Sequence, residues 1–175
     1  MELTAPNSVY LDLETTGLNC NGEDEVLEIA LVGADGETLF HTLLKPERLK
    51  AWPVAESIHG ISPDDVVGYP SLDEVLNPVI DLVWGRQLVI YNAPFDLSFL
   101  PDAVAEGAAE VRCCMLAFAQ AYGEPDPKRG GFKWKKLGFA AEHVGHVWSG
   151  RAHSALADAQ ATRSVWQWLA RQGAV

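Results

Sequence analysis

Three short runs rich in β-branched and aliphatic residues, at 8–13 (SVYLDL), 26–32 (VLEIALV) and 37–44 (ETLFHTLL), precede any segment of helical period. That order confines the chain to folds built on a sheet laid down early. Gly33-Ala-Asp-Gly36 between the second and third runs is a hairpin turn signal, so those two strands are antiparallel. Residues 45–70 read as a loop punctuated by Pro and Gly. Ser62-Pro63-Asp64-Asp65 in it resembles an N-cap with Pro at N1, opening about one turn of helix.

Strand and helix then alternate. Leu72, Val75, Leu76, Val79, Leu82 and Val83 carry helical spacing over 71–84, with Pro78 expected to bend or split the helix. Residues 87–91 (QLVIY) read as a buried strand, and Ala93-Pro94 opens a helix whose apolar face is Leu97, Phe99 and Leu100. A short strand near 111–113, a helix to about residue 122, a helix over about 133–143 and a last helix over about 154–171 complete the chain. The expected architecture is an α/β layered domain with a mixed sheet, one domain over residues 1–175.

Composition narrows the function. No run of about 18 apolar residues exists to cross a membrane, and the N-terminus lacks a basic region followed by an apolar run. Cys20, Cys113 and Cys114 form neither a CxxC pair nor a zinc spacing, so a reducing cytoplasm is the expected setting. A net charge of −11 argues against coating nucleic acid through phosphate contacts alone. It is compatible with an enzyme whose carboxylates hold divalent cations that in turn meet phosphates.

Asp12 and Glu14 lie two apart on the first strand and share a face, while Leu11 and Leu13 take the other. Neighbouring carboxylates repel unless a cation neutralises them, although a solvated edge strand would also tolerate the pair. Thr15-Thr16-Gly17 follows at once, and the C-terminal end of a strand in an open α/β sheet is where ligands bind. Asp96 falls in the first turn of the helix opened by Pro94, where an acidic residue also suits the helix dipole, and Asn92 sits in the cap region. His153 and Asp158 are about 500° of helix apart, so they converge only if His153 stands in the loop and Asp158 one turn inside, a placement Gly150 and a Ser154 cap favour. Taken singly, each feature has a plain structural explanation.

Taken in order, DxETTG, NxxFD and HxxxxD resemble the DEDDh family of 3′→5′ exonucleases, from Val9 to about Trp168. The resemblance implies a ribonuclease-H-like fold with a mixed five-stranded sheet. It implies that Asp12, Glu14, Asp96 and Asp158 hold two Mg²⁺ or Mn²⁺ ions, with Asp12 bridging them, since hard cations take oxygen ligands. His153 would be the general base, a task suited to an imidazole with its ordinary pKa of about 6.5. The expected reaction releases nucleoside 5′-monophosphates from the free 3′ end of single-stranded DNA or RNA. Tyr91 departs from the family's usual His before the Asn of the second motif, which touches contacts around the site and leaves the acidic set whole.

On the substrate side, the resemblance assigns Thr15, Thr16 and Gly17 to the terminal-nucleotide pocket, with Leu18 packing near the base. Asn92 and Phe99 are further candidates, with Phe99 equally suited to the core. His59, in an IHGIS segment similar to one near the active site of proofreading-type relatives, reads rather as a loop anchor. Lys128, Arg129, Lys133, Lys135 and Lys136 place five of 13 basic residues in nine positions, a candidate phosphate-holding patch or a solvated loop. Trp134 and Leu137 within it read as core anchors, with base stacking as the other option for Trp134. DNA is favoured slightly over RNA because DxETTG and IHGIS look most like proofreading relatives. An exoribonuclease, a non-catalytic binding subunit and an endonuclease of the same fold are the rivals, and whether a protein partner or homodimer is involved is left open.

Overall fold

A computed structural model describes residues 7–19, 23–149 and 153–175, so Cys20 and Gly150 lie outside the described residues. The early strands form as expected: β1 (Ser8–Thr15), β2 (Val26–Gly33) and β3 (Thr38–Leu43). β4 (Gln87–Ile90) and β5 (Glu110–Cys113) complete one mixed sheet in the order β3-β2-β1-β4-β5. β1 is central, antiparallel to β2 and parallel to β4, and β4 is parallel to β5. The Gly33–Gly36 turn is closed by Gly36 N–H to Gly33 O at 3.0 Å and Gly33 N–H to Glu37 O at 2.8 Å.

Strand alternation splits the interior into two layers. Val9, Leu11 and Leu13 pack with Leu88 and Ile90 under α2 (Leu72–Val83), through Val75, Val79 and Val83. Tyr10, Ala30, Val32 and Val89 face the other way, onto α5 (Cys114–Tyr122) and α7 (Ala155–Arg171), through Phe118, Ala155, Ala159, Val165 and Leu169. Asp12 and Glu14 continue the Tyr10 row, which aims them at the N-terminus of α7. Small residues on α7 (Ala155, Ala157, Ala159, Ala161) let the helix lie close over β1 and β2.

Several expectations need correction. The loop at 45–70 contains a helix, α1 (Pro53–His59), begun by Pro at N1 and ended by Gly60 in the left-handed region at φ 75°. Its Ala55 packs with Trp52, Leu27, Ile61 and Val66 in a separate small core. The segment after Ser62 makes turns rather than a helix, since Asp65 folds back to accept from Ser62 N–H and Oγ–H at 2.8 and 2.7 Å. Pro78 does not split α2, which runs unbroken behind a Ser71/Glu74 capping box. α3 (Ala93–Ser98) opens at Ala93-Pro94 as expected but ends at Ser98, so Phe99 caps it and Leu100 lies beyond it, and α4 (Asp102–Gly107) is an additional short helix. The helix expected from 133 begins only at Leu137, as α6 (Leu137–His143). Residues ahead of it pair back instead: Phe132 bridges to Pro125, and Lys133 N–H donates to Glu124 O at 2.8 Å. Trp134 is consequently 58% exposed and not a core anchor, while Leu137 is half-buried. Among the described residues no helix is long and apolar enough to cross a membrane.

Candidate active site

β1 outruns its parallel neighbour. Its pairing with β4 stops at Leu11 opposite Ile90, so the Leu13 N–H has no strand partner on that side. Asp96 fills the gap: from the first turn of α3 its Oδ1 accepts from Leu13 N at 3.2 Å, leaving the side chain only 4% exposed. The same bond draws Asp96 to the strand that bears Asp12 and Glu14.

α7 supplies the other half. Ser154 is its N-cap and its Oγ accepts from Ala157 N at 3.4 Å. His153, just outside, has φ 62°, left-handed for a non-glycine residue, a strained conformation of the kind that collects at functional sites. That turn lets an exposed His153 and a half-buried Asp158 face one another, as the spacing required. Ligand atoms of Glu14, His153 and Asp158 all lie within 4.8 Å of one another.

Four carboxylates thus crowd together, and the electrostatics record the strain. Asp12 is pushed well above its ordinary value, by burial first and then by the charges of Asp96, Asp158, Glu14 and Glu28. Glu14 is raised to about 8 by burial and then by Asp158, Glu28 and Asp96. Asp96 rises to about 7 through burial, against the hydrogen bonds it accepts from Leu13 and its own N–H. Burial lifts Asp158 to about 6, opposed by the imidazole and backbone N–H of His153. Asp158 Oδ1 is buried without a hydrogen-bond partner among the described residues. An orphaned anionic oxygen in a set of oxygen donors fits a hard divalent cation.

Glu28 is the residue that sequence reasoning missed. It stands opposite Glu14 on β2, 4% exposed, accepting from Ala155 N at 3.0 Å and from His41 Nε2 at 2.7 Å. One carboxylate thereby ties the start of α7 to the sheet. The available signal was a charged residue inside an otherwise apolar strand, VLEIALV. Glu28→Ala should lower stability in urea unfolding by about 1–3 kcal/mol, because the buried Ala155 N–H loses its acceptor. Glu28→Gln, which keeps an acceptor oxygen, should recover most of that loss, whereas equal losses in both variants would refute the tie.

The turn after β1 is built by its own side chains. Thr15 Oγ1 donates to Gly17 O at 2.6 Å, and Thr16 Oγ1 donates to Asp24 Oδ1 at 3.0 Å while accepting from Glu25 N at 2.9 Å. A Cβ at Gly17 would overlap the Asp24 carboxylate, which explains glycine there. Both hydroxyls are spent inside the turn, so what it presents outward is backbone and the 84%-exposed Leu18. His59 anchors as expected, with Nδ1 accepting from Ile61 N at 3.0 Å and Nε2 donating to Thr15 O at 3.3 Å. Asn92 is the N-cap of α3 but makes no side-chain cap bond. Phe99 is partly buried against the main core, edge-on to Phe95 at 5.2 Å. Lys133 and Lys135 both pair with Glu124, holding its carboxyl down at about 2, and Lys136 lines the groove beside His153.

The model of a family described as exonuclease matches residues 9–165. The chain belongs to this exonuclease family. It is thereby a nuclease, a hydrolase acting on nucleic acids. It is 35% identical to the uncharacterized exonuclease CP81 of Escherichia phage 186 over 95% of this chain and 89% of that protein. It is also 35% identical to DNA polymerase III subunit epsilon of Escherichia coli (strain K12), over 57% of this chain and 44% of the subunit's length. Among solved structures, exonuclease X in complex with 5′ overhanging duplex DNA superposes with a TM-score of 0.71 at 23% identity, covering 95% of this chain and 93% of that one. The nuclease domain of 3′hExo, a DEDDh family member bound to rAMP, gives 0.75 at 19% identity, over 99% and 96% of the two chains. At such identities the likeness establishes the fold, a ribonuclease-H-like mixed sheet.

Proposed function

We propose that this nuclease removes nucleoside 5′-monophosphates one at a time from the 3′ end of a single strand, with DNA slightly favoured over RNA. The observation that carries the reading is the meeting of Asp12, Glu14, Asp96 and Asp158 in one pocket whose open side holds His153. The four carboxylates, Asp12 among them, would hold two Mg²⁺ or Mn²⁺ ions. Such ions stabilise charge on the attacking and leaving oxygens of an in-line displacement.

His153 accepts the proton of the water that attacks phosphorus, and the bond from phosphorus to the 3′ oxygen breaks. That oxygen takes a proton from solvent and stays with the shortened strand as its new 3′ hydroxyl, and the phosphate leaves on the 5′ oxygen of the released nucleotide. Exposure suits His153 to this work, because the imidazole must hand its proton to solvent before each turnover. Asp158 faces it and supports the imidazolium that forms. The turn at Thr15–Gly17 offers backbone groups to the terminal sugar, and Leu18 offers an apolar surface to its base. The lean towards DNA is supported by the likeness to the polymerase subunit.

A time course on 5′-labelled single-stranded DNA and RNA of matched sequence, with Mg²⁺, Mn²⁺ or EDTA, tests the reading. The expected result is a metal-dependent ladder shortening from the 3′ end, faster on DNA. Cleavage of a circular strand would favour an endonuclease, faster shortening of RNA an exoribonuclease, and binding without cleavage of either a non-catalytic subunit. His153→Ala should lower kcat by about 10²–10⁴-fold. An undiminished rate would remove His153 as the base.

A further inference from the structure

The groove that holds His153 and Asp158 has one aromatic wall. Trp134 and Phe139, 58% and 40% exposed, and the half-buried Trp148 line it together with Lys136. Its volume is about 510 Å³. Aromatic faces left in water beside a reaction centre are costly to keep there, and they mark a surface that something else covers.

The wall is held in place before anything binds. Tyr91, which replaces the family's usual His, donates its hydroxyl to Lys135 O at 2.8 Å and so fastens the segment to the core. Lys133 N–H to Glu124 O and the Phe132–Pro125 bridge hold the segment from the other side. Arg129 stacks over the Trp134 ring at 5.6 Å, and Lys135 Nζ lies 4.9 Å from the Phe139 centroid. Ordering costs that a flexible loop would meet on binding are therefore already met.

The same contacts consume part of the positive charge. Lys133 and Lys135 pair with Glu124. Among the described residues Lys128, Arg129 and Lys136 have no ion pair, and of these three Lys136 lines the groove, in a chain of net charge −11. Phosphate neutralisation is thus a poor source of affinity for this groove, whereas every base has a face that an exposed ring can stack on.

We infer that unpaired bases adjoining the nucleotide being removed stack on Trp134 and its aromatic neighbours, and that stacking rather than phosphate contact supplies most of the strand's affinity. The inference rests on the exonuclease reading for which strand enters the groove. It makes the substrate class a strand with free base faces, since a paired strand hides them, and it makes recognition indifferent to base identity.

Steady-state kinetics on oligothymidylate test it, beside hydrolysis of p-nitrophenyl thymidine 5′-monophosphate, an ester with no adjoining base. Trp134→Ala should raise KM for the strand at least about five-fold more than for the ester, and Trp134→Phe should restore most of the loss. Placing abasic residues next to the terminal nucleotide should erase the difference between wild type and Trp134→Ala. KM for the strand should rise only about three-fold between 50 and 200 mM salt, as for one phosphate contact, against about twenty-fold for contacts by Lys133, Lys135 and Lys136 together. Equal effects on strand and ester, or the steep salt dependence, would overturn the inference.

Anisotropy of labelled oligothymidylate on Asp12→Asn protein with Mg²⁺ reads binding without turnover. Binding weakened by Trp134→Ala, with no hydrolysis by the wild type, would keep the stacking surface and remove the nuclease reading. Hydrolysis with KM indifferent to Trp134→Ala would do the reverse.

Discussion

Asp12→Asn is expected to lower phosphodiester hydrolysis by roughly 10³-fold or more while making the metal-free protein more stable. The loss follows from the place of Asp12 among the four carboxylates, since metal-borne charge stabilisation contributes several kcal/mol to such a displacement. The gain follows from the same crowding. Asp12 is raised by burial and then by Asp96, Asp158, Glu14 and Glu28, so its ionised form is opposed from every side. A neutral amide of equal size removes one charge from that cluster, and urea unfolding in EDTA at pH 8 should show a gain of about 1–3 kcal/mol. Near wild-type turnover would dismiss Asp12 as a ligand, and a less stable apo protein would show that the cluster is not strained.

The second large effect is on pH. Glu14, Asp96 and Asp158 stand at about 8, 7 and 6 in the folded chain, against ordinary values of 4.5, 3.8 and 3.8. Between pH 4 and 8 the folded chain therefore holds more protons than the unfolded one, and stability must fall as pH rises through that window. The penalty is absent below about pH 4 and complete above about pH 8. A loss of a few kcal/mol corresponds to a melting temperature about 5–15 °C lower at pH 8 than at pH 5 in EDTA. Mg²⁺ should restore much of it at pH 8 and little at pH 5, because binding requires the ionised carboxylates. A melting temperature in EDTA that is flat or rising across the window would contradict the raised values.

The meeting of the acidic residues and His153 was largely legible because each motif was tied to an element end. DxE on an alternating strand fixed the face, Pro94 placed Asp96 in a first turn, and the five-residue spacing of His153 and Asp158 demanded a loop-to-helix junction. The structure has that junction at Ser154, with His153 in the left-handed region. What escaped depended on partners distant in sequence. Glu28 looks like an interruption of a strand until Ala155, 127 residues later, is brought against it. Residues 133–136 read as the start of a helix, but Pro125 and Glu124 capture Phe132 and Lys133 in extended pairing, and Trp134 is left exposed. α1 carried its Pro and Gly signals openly, yet its seven residues were lost among other punctuation in that loop.

The docking of α7 has a consequence for the chain during its synthesis. Asp12 and Glu14 emerge from the ribosome early, whereas Asp158 comes only with the last helix, and that helix seats by its N-terminus on Glu28 and by its alanines on β1 and β2. At roughly 5–20 residues per second, the sheet waits many seconds for Asp158. Through that interval the nascent protein carries Asp12, Glu14 and Asp96 without their fourth carboxylate, and a product cut short before α7 would lack both Asp158 and the helix that covers the sheet.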